Sequence, residues 1–423
     1  MSDSNTHSQP NSDWLRGVEA GPTKVAYVEP NGSLFYRGYQ ISSICDRHTY
    51  EDVAFLLLNE KWPRQSEAEY FRENLVRNRK LPWRVAHLCH VLCERHNMMP
   101  IDAFIVLINV LRAHSDTADA TDKKANIDKA AQLIAQMPSV MGMISNSQNL
   151  WRQPDDSTLT ATTKFSKHIQ NVRSNEIVEG QISDADTDAI GWPIGTSYTQ
   201  SGYVYLMATG SPPSAEHSDI IDKIMVLYAE HGFAASTFAA RVVASTKSDL
   251  HNAITAALTA LKGPLHGGAA EQCADLIQNN LKDPREVERI VTAQPFITGF
   301  GHPVYKNTDD PRVQLMDDLI QQYKDFLIHE SKRVWGPNAP DWLTHASRFR
   351  EAVERRFEGH IRANVEYPIS LVLTMLGIDK QLYPMIFGIA RTAGWSAHII
   401  EHQSYRRTPI IRPLARYEGT THD

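Results

Sequence analysis

The sequence has few cysteines, no long apolar run and no excess of positive charge. Four cysteines in 423 residues cannot form the dense disulfide framework of small secreted domains. No stretch reaches the roughly 20 apolar residues that cross a bilayer, so we expect no membrane contact. A formal net charge of −6 offers no basic surface for nucleic acid. An anionic substrate would therefore need local arginine side chains.

The two ends of the sequence carry no targeting signal that we can identify. Residues 1–13 are rich in Ser and Asn, include acidic residues and lack arginine, unlike a signal or transit peptide. Residues 420–423 do not form a peroxisomal signal. We therefore expect a cytoplasmic protein.

Hydrophobic periodicity predicts a mainly α protein. Apolar residues recur at three- and four-residue spacing in 51–58, 67–77, 101–113, 218–261, 313–328, 348–363, 369–376 and 382–399. Near the N-terminus, β-rich segments 24–28 and 33–37 flank Pro30-Asn31-Gly32, which predicts a short hairpin. Residues 145–200 are polar, and this composition predicts a long surface excursion instead of a second core.

Two histidines lie among glycines within one stretch of the chain. His266 belongs to GPLHGG at 263–268, and His302 belongs to GFGH at 299–302. Glycine lets a ligand approach the backbone closely, and an imidazole exchanges a proton near neutral pH. Arg312 follows shortly downstream. A catalytic pair is therefore one interpretation, and two loop histidines beside helix ends are the other.

Cys89 and Cys93 are four residues apart and would share one face of a helix. With a nearby histidine they could bind zinc, and elemental analysis would then find stoichiometric metal. Zinc-finger spacings are absent and several intervening residues are apolar. This pattern favours a buried helix in which the thiols pack as small hydrophobes, and we expect no metal.

An ordered series of motifs resembles the citrate synthase family. The motifs are YRGY at 36–39, His231 with AST at 235–237, GPLHGG at 263–268, GFGH at 299–302, DPR at 310–312, NVE at 364–366, ARTAGW at 390–395 and RP at 412–413. Each motif alone is weak, but their order and spacing follow the family from about residue 17 to about residue 419. The polar stretch 145–200 has no counterpart in compact family members.

The resemblance implies a citrate synthase-like two-domain helical fold in which a small domain closes over the substrates. Residues 1–266 and 376–423 would form the large domain, and residues 267–375 the small one. The family works as a homodimer, and the arginine that matches Arg412 reaches the active site of the partner. We expect the same arrangement here.

The reaction implied by the resemblance joins an acyl-CoA to oxaloacetate and then hydrolyses the thioester, with neither cofactor nor metal. Glu366 occupies the position of the base, His266 that of the donor to the thioester oxygen, and His302 that of the group polarising the ketone. The residues that match oxaloacetate ligands are His231, Arg312, Arg391 and Arg412. Guanidinium groups suit carboxylates because they bind them in a bidentate way. Lys306 matches a basic position near the CoA phosphates.

The chain departs from the family pattern near the base. The family has aspartate at the position of Glu366, and one extra methylene moves a carboxylate by about 1.5 Å. A misplacement of about 1 Å can lower a rate roughly 100-fold. Ala234 and Ala270 stand where the family often has asparagine, which predicts a roomier, less polar pocket for an acyl group bulkier than acetyl.

Three interpretations stay open on the sequence alone. The chain is a citrate synthase that uses acetyl-CoA, a 2-methylcitrate or longer alkylcitrate synthase, or a catalytically silent paralogue that binds CoA. The change to glutamate and the polar stretch favour the silent paralogue. The complete set of histidines and arginines favours an enzyme, because a scaffold has no physical need for them.

Overall fold

The computed structural model describes residues 18–29, 32–95, 98–152, 198–281, 284–305, 308–407 and 409–420. Its α-helices are α1 Ile41–Arg47, α2 Tyr50–Asn59, α3 Gln65–Arg77, α4 Trp83–His90, α5 Pro100–Leu111, α6 Lys123–Ser147, α7 Gln200–Thr209, α8 Ala215–Tyr228, α9 Ala235–Ser245, α10 Leu250–Leu261, α11 Ala269–Asn280, α12 Pro284–Ala293, α13 Pro311–Gln322, α14 Lys324–Trp335, α15 Trp342–Arg356, α16 Glu366–Met375 and α17 Tyr383–Gln403. A mainly α fold is confirmed.

The predicted hairpin is present and has a third strand. Strands β1 Ala26–Val28, β2 Leu34–Tyr36 and β3 Tyr39–Gln40 form an antiparallel sheet in that order. Tyr36 is buried, and its hydroxyl lies 3.1 Å from the carbonyl oxygen of Val226 and 3.2 Å from that of Leu227. The hairpin is therefore anchored on the C-terminal turn of α8.

Helix α17 forms the centre of the larger group of helices. Every residue from Leu382 to Ile400 is buried, and α17 packs against α2, α5, α6, α8, α9 and α10. A helix that is apolar on all sides is typical of a protein core. None of the helices in the described ranges is both long and apolar enough to cross a membrane. The polar residues on α17 are buried with it and therefore need hydrogen-bond partners.

A second group of helices packs around α16. Helix α16 contacts α11, α13, α14 and α15, and α12 packs on α15. Links to the first group run from α11 to α17 and from α13 to α1 and α8. The residues between 269 and 375 therefore pack mainly on one another.

Two predicted helix boundaries are wrong. The segment 348–363 is helical only to Arg356, because Glu358 and Gly359 have φ of 50° and 74° and turn the chain. Ala363 instead forms an antiparallel bridge with Phe300. The segment 313–328 is interrupted at Tyr323, between α13 and α14.

The polar stretch predicted at 145–200 lies mostly outside the described residues. At its start, α6 continues to Ser147, and the buried Trp151 donates a hydrogen bond to the carbonyl oxygen of Met207 at 3.0 Å. At its end, Gln200 is buried at the start of α7. Both described ends are therefore part of the core.

Cys89 and Cys93 lie in a buried helical segment, as predicted. Cys89 belongs to α4 and Cys93 to the π-helical turn Val91–Arg95, and their sulfur atoms are 4.0 Å apart. No group of three His, Cys, Asp or Glu side chains in the described ranges could hold a metal ion.

A buried acidic pair joins α2 to α8. Asp222 accepts a hydrogen bond from the backbone N–H of Tyr50 at 3.0 Å, and Glu51 accepts one from the backbone N–H of Gln200 at 2.8 Å. Burial first, and then the charge of Glu51, raise the pKa of Asp222. Two carboxyl groups in one buried site disfavour double ionisation.

We expect Asp222→Asn to stabilise the fold at neutral pH. Because the pKa of Asp222 is higher in the folded state, stability is greatest below its unfolded pKa of about 3.9 and falls as pH rises. An amide does not ionise and still accepts the hydrogen bond from Tyr50. Tm should therefore rise by roughly 2–4 °C near neutral pH and change little in mild acid. Thermal melts at the two pH values test this, and an unchanged Tm at neutral pH would contradict it.

Candidate active site

The loop between α10 and α11 presents His266. Its backbone N–H donates to the carbonyl oxygen of Gly263 at 2.9 Å, which closes a tight turn. A Cβ added to Gly268 would lie 2.6 Å from the carbonyl oxygen of Lys262 and 2.9 Å from that of Gly263. Because backbone atoms cannot yield as a flexible side chain does, this close approach requires glycine. The glycine-rich motif therefore builds the turn that holds the histidine.

The hydrogen bonds of His266 determine its tautomer. Its Nε2 lies 2.8 Å from the hydroxyl oxygen of Ser236, which also accepts a hydrogen bond from Trp395 Nε1 at 3.3 Å. Ser236 is fully buried, and among the described residues His266 Nε2 is the one acceptor for its hydroxyl proton, so the serine donates to Nε2. Burial, followed by the charge of Arg391, lowers the pKa of His266 to about 4. A neutral His266 therefore carries its proton on Nδ1, which can donate to a ligand.

We expect Ser236→Ala to lower kcat by about tenfold, because one hydrogen bond of roughly 1.5 kcal/mol that fixes the His266 tautomer is lost. The KM values for the substrates that the resemblance implies should change little. Steady-state kinetics test this, with Ser139→Ala as control. Ser139 is also fully buried and makes two hydrogen bonds, to the carbonyl oxygen of Arg79 at 2.6 Å and the hydroxyl of Tyr203 at 2.8 Å. An equal loss of kcat in both variants would contradict the tautomer assignment.

The loop that carries His302 pairs with the segment before α16. Gly301 has φ of 81°, and its N–H donates to the carbonyl oxygen of Arg362 at 2.8 Å. The side chain of Asn364 donates to the carbonyl oxygen of Gly301 at 2.9 Å and accepts from the N–H of Glu366 at 3.1 Å. Asn364 therefore ties the His302 loop to the first residue of α16.

The imidazole of His302 also has a defined tautomer. Its Nδ1 accepts backbone N–H groups from Val304 at 3.1 Å and Tyr305 at 3.2 Å. Burial, followed by the charge of Arg312, lowers the pKa of His302 to about 4. The neutral ring therefore carries its proton on Nε2, where it can act as a donor.

Tyr305 links His302 to His231. The ring of Tyr305 stacks on His302 with centroids 4.5 Å apart, and its hydroxyl lies 3.1 Å from His231 Nε2. The ring centroids of His231 and His302 are 5.3 Å apart. Burial, then the charge of Arg312, lowers the pKa of His231 well below its ordinary value. All three predicted histidines are therefore neutral near pH 7.

Arg312 lies at the start of α13 and is held by the preceding aspartate. Asp310 caps the helix and accepts from Arg312 Nε at 2.9 Å and Nη2 at 2.7 Å, so the pair is bidentate and buried. The charge of Asp310 and its hydrogen bonds raise the pKa of Arg312 above its ordinary value. Burial is the largest single effect and by itself lowers that pKa, but the other effects together outweigh it. The guanidinium is charged and fixed in orientation.

Arg391 lies on α17 and has a buried nitrogen without a hydrogen-bond partner in the described part of the chain. Its Nε donates to the carbonyl oxygen of Tyr228, whereas its buried Nη1 has no hydrogen-bond partner among the residues that the structure describes. A buried guanidinium N–H without an acceptor costs free energy. An anion at this nitrogen would remove that cost.

Glu366 is the first residue of α16 and is half-buried. Burial raises the pKa of its carboxyl group, and the charge of Arg312 opposes the shift. The charge of Arg391 also acts to lower the pKa values of Glu366, His231 and His266. The structure therefore assembles six of the predicted residues in one cluster: His231, His266, His302, Arg312, Arg391 and Glu366.

Of the two remaining predicted residues, the structure describes only Arg412, which is not part of this cluster. Arg412 is exposed and lines a separate cavity together with Pro22, Phe238 and Arg241. Lys306 lies outside the described residues.

A cavity of about 250 Å³ opens beside His302. His360 and Arg362 line it, on the segment between α15 and α16. Neither residue stands out in the sequence, because the predicted helix 348–363 runs across both. Their side chains place basic groups next to the cluster.

The roomier pocket at Ala234 and Ala270 stays a prediction. Ala270 is fully buried in α11, where its carbonyl oxygen accepts a hydrogen bond from the Ser370 hydroxyl at 3.1 Å. Ala234 is the N-cap of α9 and makes no side-chain cap hydrogen bond.

The arrangement of neutral histidines, buried arginines and one carboxylate can be compared with known families. Residues 14–414 match the family described as citrate synthase, C-terminal domain. The chain belongs to the citrate synthase family. This family consists of acyltransferases that condense an acyl-CoA with oxaloacetate.

Curated relatives of this family member include enzymes named for two different acyl groups. A citrate/2-methylcitrate synthase of Bacillus subtilis is 31% identical and covers 96% of each chain. A 2-methylcitrate synthase of Corynebacterium glutamicum is 30% identical over 96% of this chain and 94% of the relative. A citrate synthase of Thermoplasma acidophilum, solved with carboxymethyl coenzyme A and oxaloacetate, has a TM-score of 0.75 at 25% identity, covering 97% and 96% of the two chains. The citrate synthase-like fold is confirmed.

Proposed function

We propose that this protein condenses an acyl-CoA with oxaloacetate and hydrolyses the thioester of the product, with Glu366 as the base. The observation that carries the proposal is the buried Arg391 Nη1, which has no protein acceptor in the described ranges and lies in a cluster with Arg312 and three neutral histidines. Such a cluster fits a small dicarboxylate. The chemistry needs only side chains and the two substrates, and we propose neither cofactor nor metal.

Oxaloacetate would bind first to the fixed guanidinium groups. Arg312 and Arg391 pair with its carboxylates, and His231 donates or accepts a further hydrogen bond. His302 then donates its Nε2 proton to the ketone oxygen, which makes the ketone carbon more electrophilic. Because the pKa of His302 is lowered to about 4, the ring acts as a neutral donor and not as an imidazolium.

The acyl-CoA would be activated by two groups at once. Glu366 removes a proton from the carbon next to the thioester carbonyl, while His266 donates its Nδ1 proton to the carbonyl oxygen that gains negative charge. The new enolate carbon attacks the ketone carbon of oxaloacetate, and the ketone oxygen takes a proton. Water then cleaves the thioester and releases CoA as a thiol.

The charges of a single subunit support a homodimer. Near the proposed oxaloacetate site, the carboxylates Asp310, Glu230 and Glu366 outnumber the guanidinium groups of Arg312 and Arg391. A dianion would add further negative charge to this set. We therefore propose that Arg412 from a second subunit completes the site, which agrees with its exposure and its place in a separate cavity.

Complementation tests this arrangement. Homodimers of Glu366→Gln and of Arg412→Ala should each be nearly inactive. A one-to-one mixture of exchanged subunits should recover about one quarter of wild-type activity, because half of the dimers contain one complete site. No recovery after verified subunit exchange would show that Arg412 serves its own subunit.

We also propose that residues 267–375 form a small domain that closes over the substrates. The supporting observation is that helices α11–α16 pack mainly on one another. Within the cluster, His302, Arg312 and Glu366 belong to this group, whereas His231 and Arg391 belong to the other. Closure would bring the base towards oxaloacetate and exclude water. We propose Lys306 as a ligand of the CoA phosphates, with His360 and Arg362 as further basic groups at the cavity beside His302.

The choice of acyl group is open between acetyl and propionyl, and relatives of both kinds are about equally similar. Incubation of the protein with oxaloacetate and a series of acyl-CoA substrates, followed by mass spectrometry, would identify the product. We expect citrate from acetyl-CoA as the default product. Higher kcat/KM for propionyl-CoA would show a 2-methylcitrate synthase, and no product from any acyl-CoA would favour a silent CoA-binding paralogue.

A further inference from the structure

Glu230 is a fully buried carboxylate that the mechanism above does not use. It belongs to the turn after α8 that also carries His231. Its Oε1 accepts the backbone N–H of Gly232 at 2.5 Å and lies 3.0 Å from His398 Nε2 on α17. The carboxylate therefore connects the turn of a proposed oxaloacetate ligand to the central helix.

The imidazole of His398 holds Glu230 in place. His398 Nδ1 lies 3.3 Å from Nη1 of Arg241, which is only a donor, so Nδ1 accepts and Nε2 donates to Glu230. Arg241 in turn forms an ion pair with Glu401 at 2.9 Å. Oε1 of Glu230 therefore accepts from two fixed donors, His398 Nε2 and the backbone N–H of Gly232.

The second oxygen of Glu230 is directed to the face of α17 that carries Arg391. Oε2 has no hydrogen-bond partner within the described part of the chain. A Cβ added to Gly394 would lie 2.2 Å from this oxygen, so the carboxylate packs directly on the glycine, one turn beyond Arg391. Burial has the largest effect on the pKa of Arg391 and lowers it. The charge of Glu230 has the second largest effect and raises it.

We infer that Glu230 is a positioning residue that acts as the internal counter-anion of Arg391 while the site is empty. The inference rests on the proposed function and deepens it. Glu230 and Arg391 have complementary unpartnered atoms: a buried carboxylate oxygen and a buried guanidinium nitrogen. A carboxylate of oxaloacetate takes over as the partner of Nη1 when it binds. Glu230 thus stabilises the empty enzyme and opposes binding of the dianion.

The variant Glu230→Gln separates charge from geometry. Glutamine is isosteric and keeps an oxygen that accepts from Gly232 and His398, but it removes the negative charge next to Arg391. Without oxaloacetate, the variant should melt at a lower temperature than wild type, because a buried guanidinium has lost its counter-charge. With oxaloacetate, its Tm should rise by more than that of wild type, because ligand binding supplies the missing anion.

Glu330→Gln is the matched control. Glu330 is also buried, and its Oε1 lies 3.0 Å from His217 Nε2, the same contact that Glu230 makes with His398. Glu330 lies on α14, and no interaction with the histidine–arginine cluster involves it. The control Glu330→Gln should melt at a lower temperature than wild type. Oxaloacetate should raise its Tm by the same amount as it raises that of wild type.

The experiment measures melting curves, the Kd for oxaloacetate by calorimetry, and steady-state kinetics for the three proteins. For Glu230→Gln we expect a Kd and KM for oxaloacetate lower by about fivefold or more, and kcat within about threefold of wild type. If this variant is insoluble, its refolding from denaturant is measured with and without oxaloacetate in place of thermal unfolding. We then expect folded protein to be recovered only when oxaloacetate is present.

An unchanged or weaker affinity of Glu230→Gln for oxaloacetate would overturn the inference. So would an oxaloacetate-induced rise in Tm that is as large in Glu330→Gln as in Glu230→Gln. Failure of the proposed function gives a different result, because wild type itself would then show neither an oxaloacetate-induced shift nor turnover.

Discussion

Glu366→Gln is expected to lower kcat by about 10²- to 10⁴-fold, the range that general-base catalysis contributes. An amide cannot accept the α-proton of the acyl-CoA, whereas its size and position match those of the carboxyl group. Because Glu366 is not among the proposed oxaloacetate ligands, the Kd for oxaloacetate should stay within about threefold of wild type. Steady-state kinetics and calorimetry on the same preparation measure both quantities.

The same residue determines the expected dependence of rate on pH. Burial raises the pKa of Glu366 above its ordinary value, and the base must be ionised to act. The rate should therefore rise with pH across this raised pKa, above the ordinary glutamate value of about 4.3. Since the charges of Arg312 and Arg391 oppose the shift, removal of Arg391 should move this acidic limb further upwards.

Glu366→Asp is the informative partner of the glutamine variant. It restores the residue type of the family but shortens the side chain by about 1.5 Å. We expect measurable turnover, lower than wild type by roughly 100-fold if the backbone has adjusted to glutamate. Wild-type kcat in Glu366→Gln would show that another group removes the proton.

Arg391→Ala is expected to raise the KM for oxaloacetate by about 30- to 1000-fold, equivalent to roughly 2–4 kcal/mol. Two effects add in the same direction. The substrate loses a guanidinium that is already held by the carbonyl oxygen of Tyr228, and the carboxylate of Glu230 loses the cation that it faces. The KM for the acyl-CoA should change much less.

Arg391→Lys distinguishes charge from shape. Lysine keeps the positive charge but lacks the planar fork that binds a carboxylate through two N–H groups. An intermediate KM would show that both contribute. A KM for oxaloacetate equal to that of wild type in Arg391→Ala would contradict the assignment of this residue to the substrate.

The glycine motif around His266 and the setting of Arg312 could be predicted from the sequence because each depends on residues nearby in the chain. Gly268 must be glycine to clear the carbonyl oxygen of Lys262, and Asp310 holds Arg312 from two positions away. Order and spacing were enough to locate these residues. Their roles in catalysis stay predictions until variants are measured.

Contacts between distant parts of the chain could not be predicted. Ser236 orients His266 from another helix, and His398 reaches Glu230 across 168 positions. The first contact depends on how α9 packs against the loop between α10 and α11, and the second on how α17 packs against the turn after α8; periodicity reveals neither. Ser236 lies in the AST motif and His266 in the GPLHGG motif, but neither motif indicates that the two side chains touch.

Local propensity was misleading where tertiary pairing decides the structure. The segment 348–363 has helical spacing throughout, yet its last residues leave the helix to pair with the loop of His302. The contact between Phe300 and Ala363 outweighs helix propensity, which is worth only tenths of a kcal/mol per residue. His360 and Arg362 reach the cavity because of this departure.

The role of Glu366 as the base in a condensation that requires oxaloacetate can be tested directly. Free-thiol release from acetyl-CoA and propionyl-CoA is measured with and without oxaloacetate, in wild type and Glu366→Gln. We expect rapid release by wild type only when oxaloacetate is present, and a loss of at least about 100-fold in the variant. Release that does not depend on oxaloacetate, or equal rates in the two proteins, would contradict it.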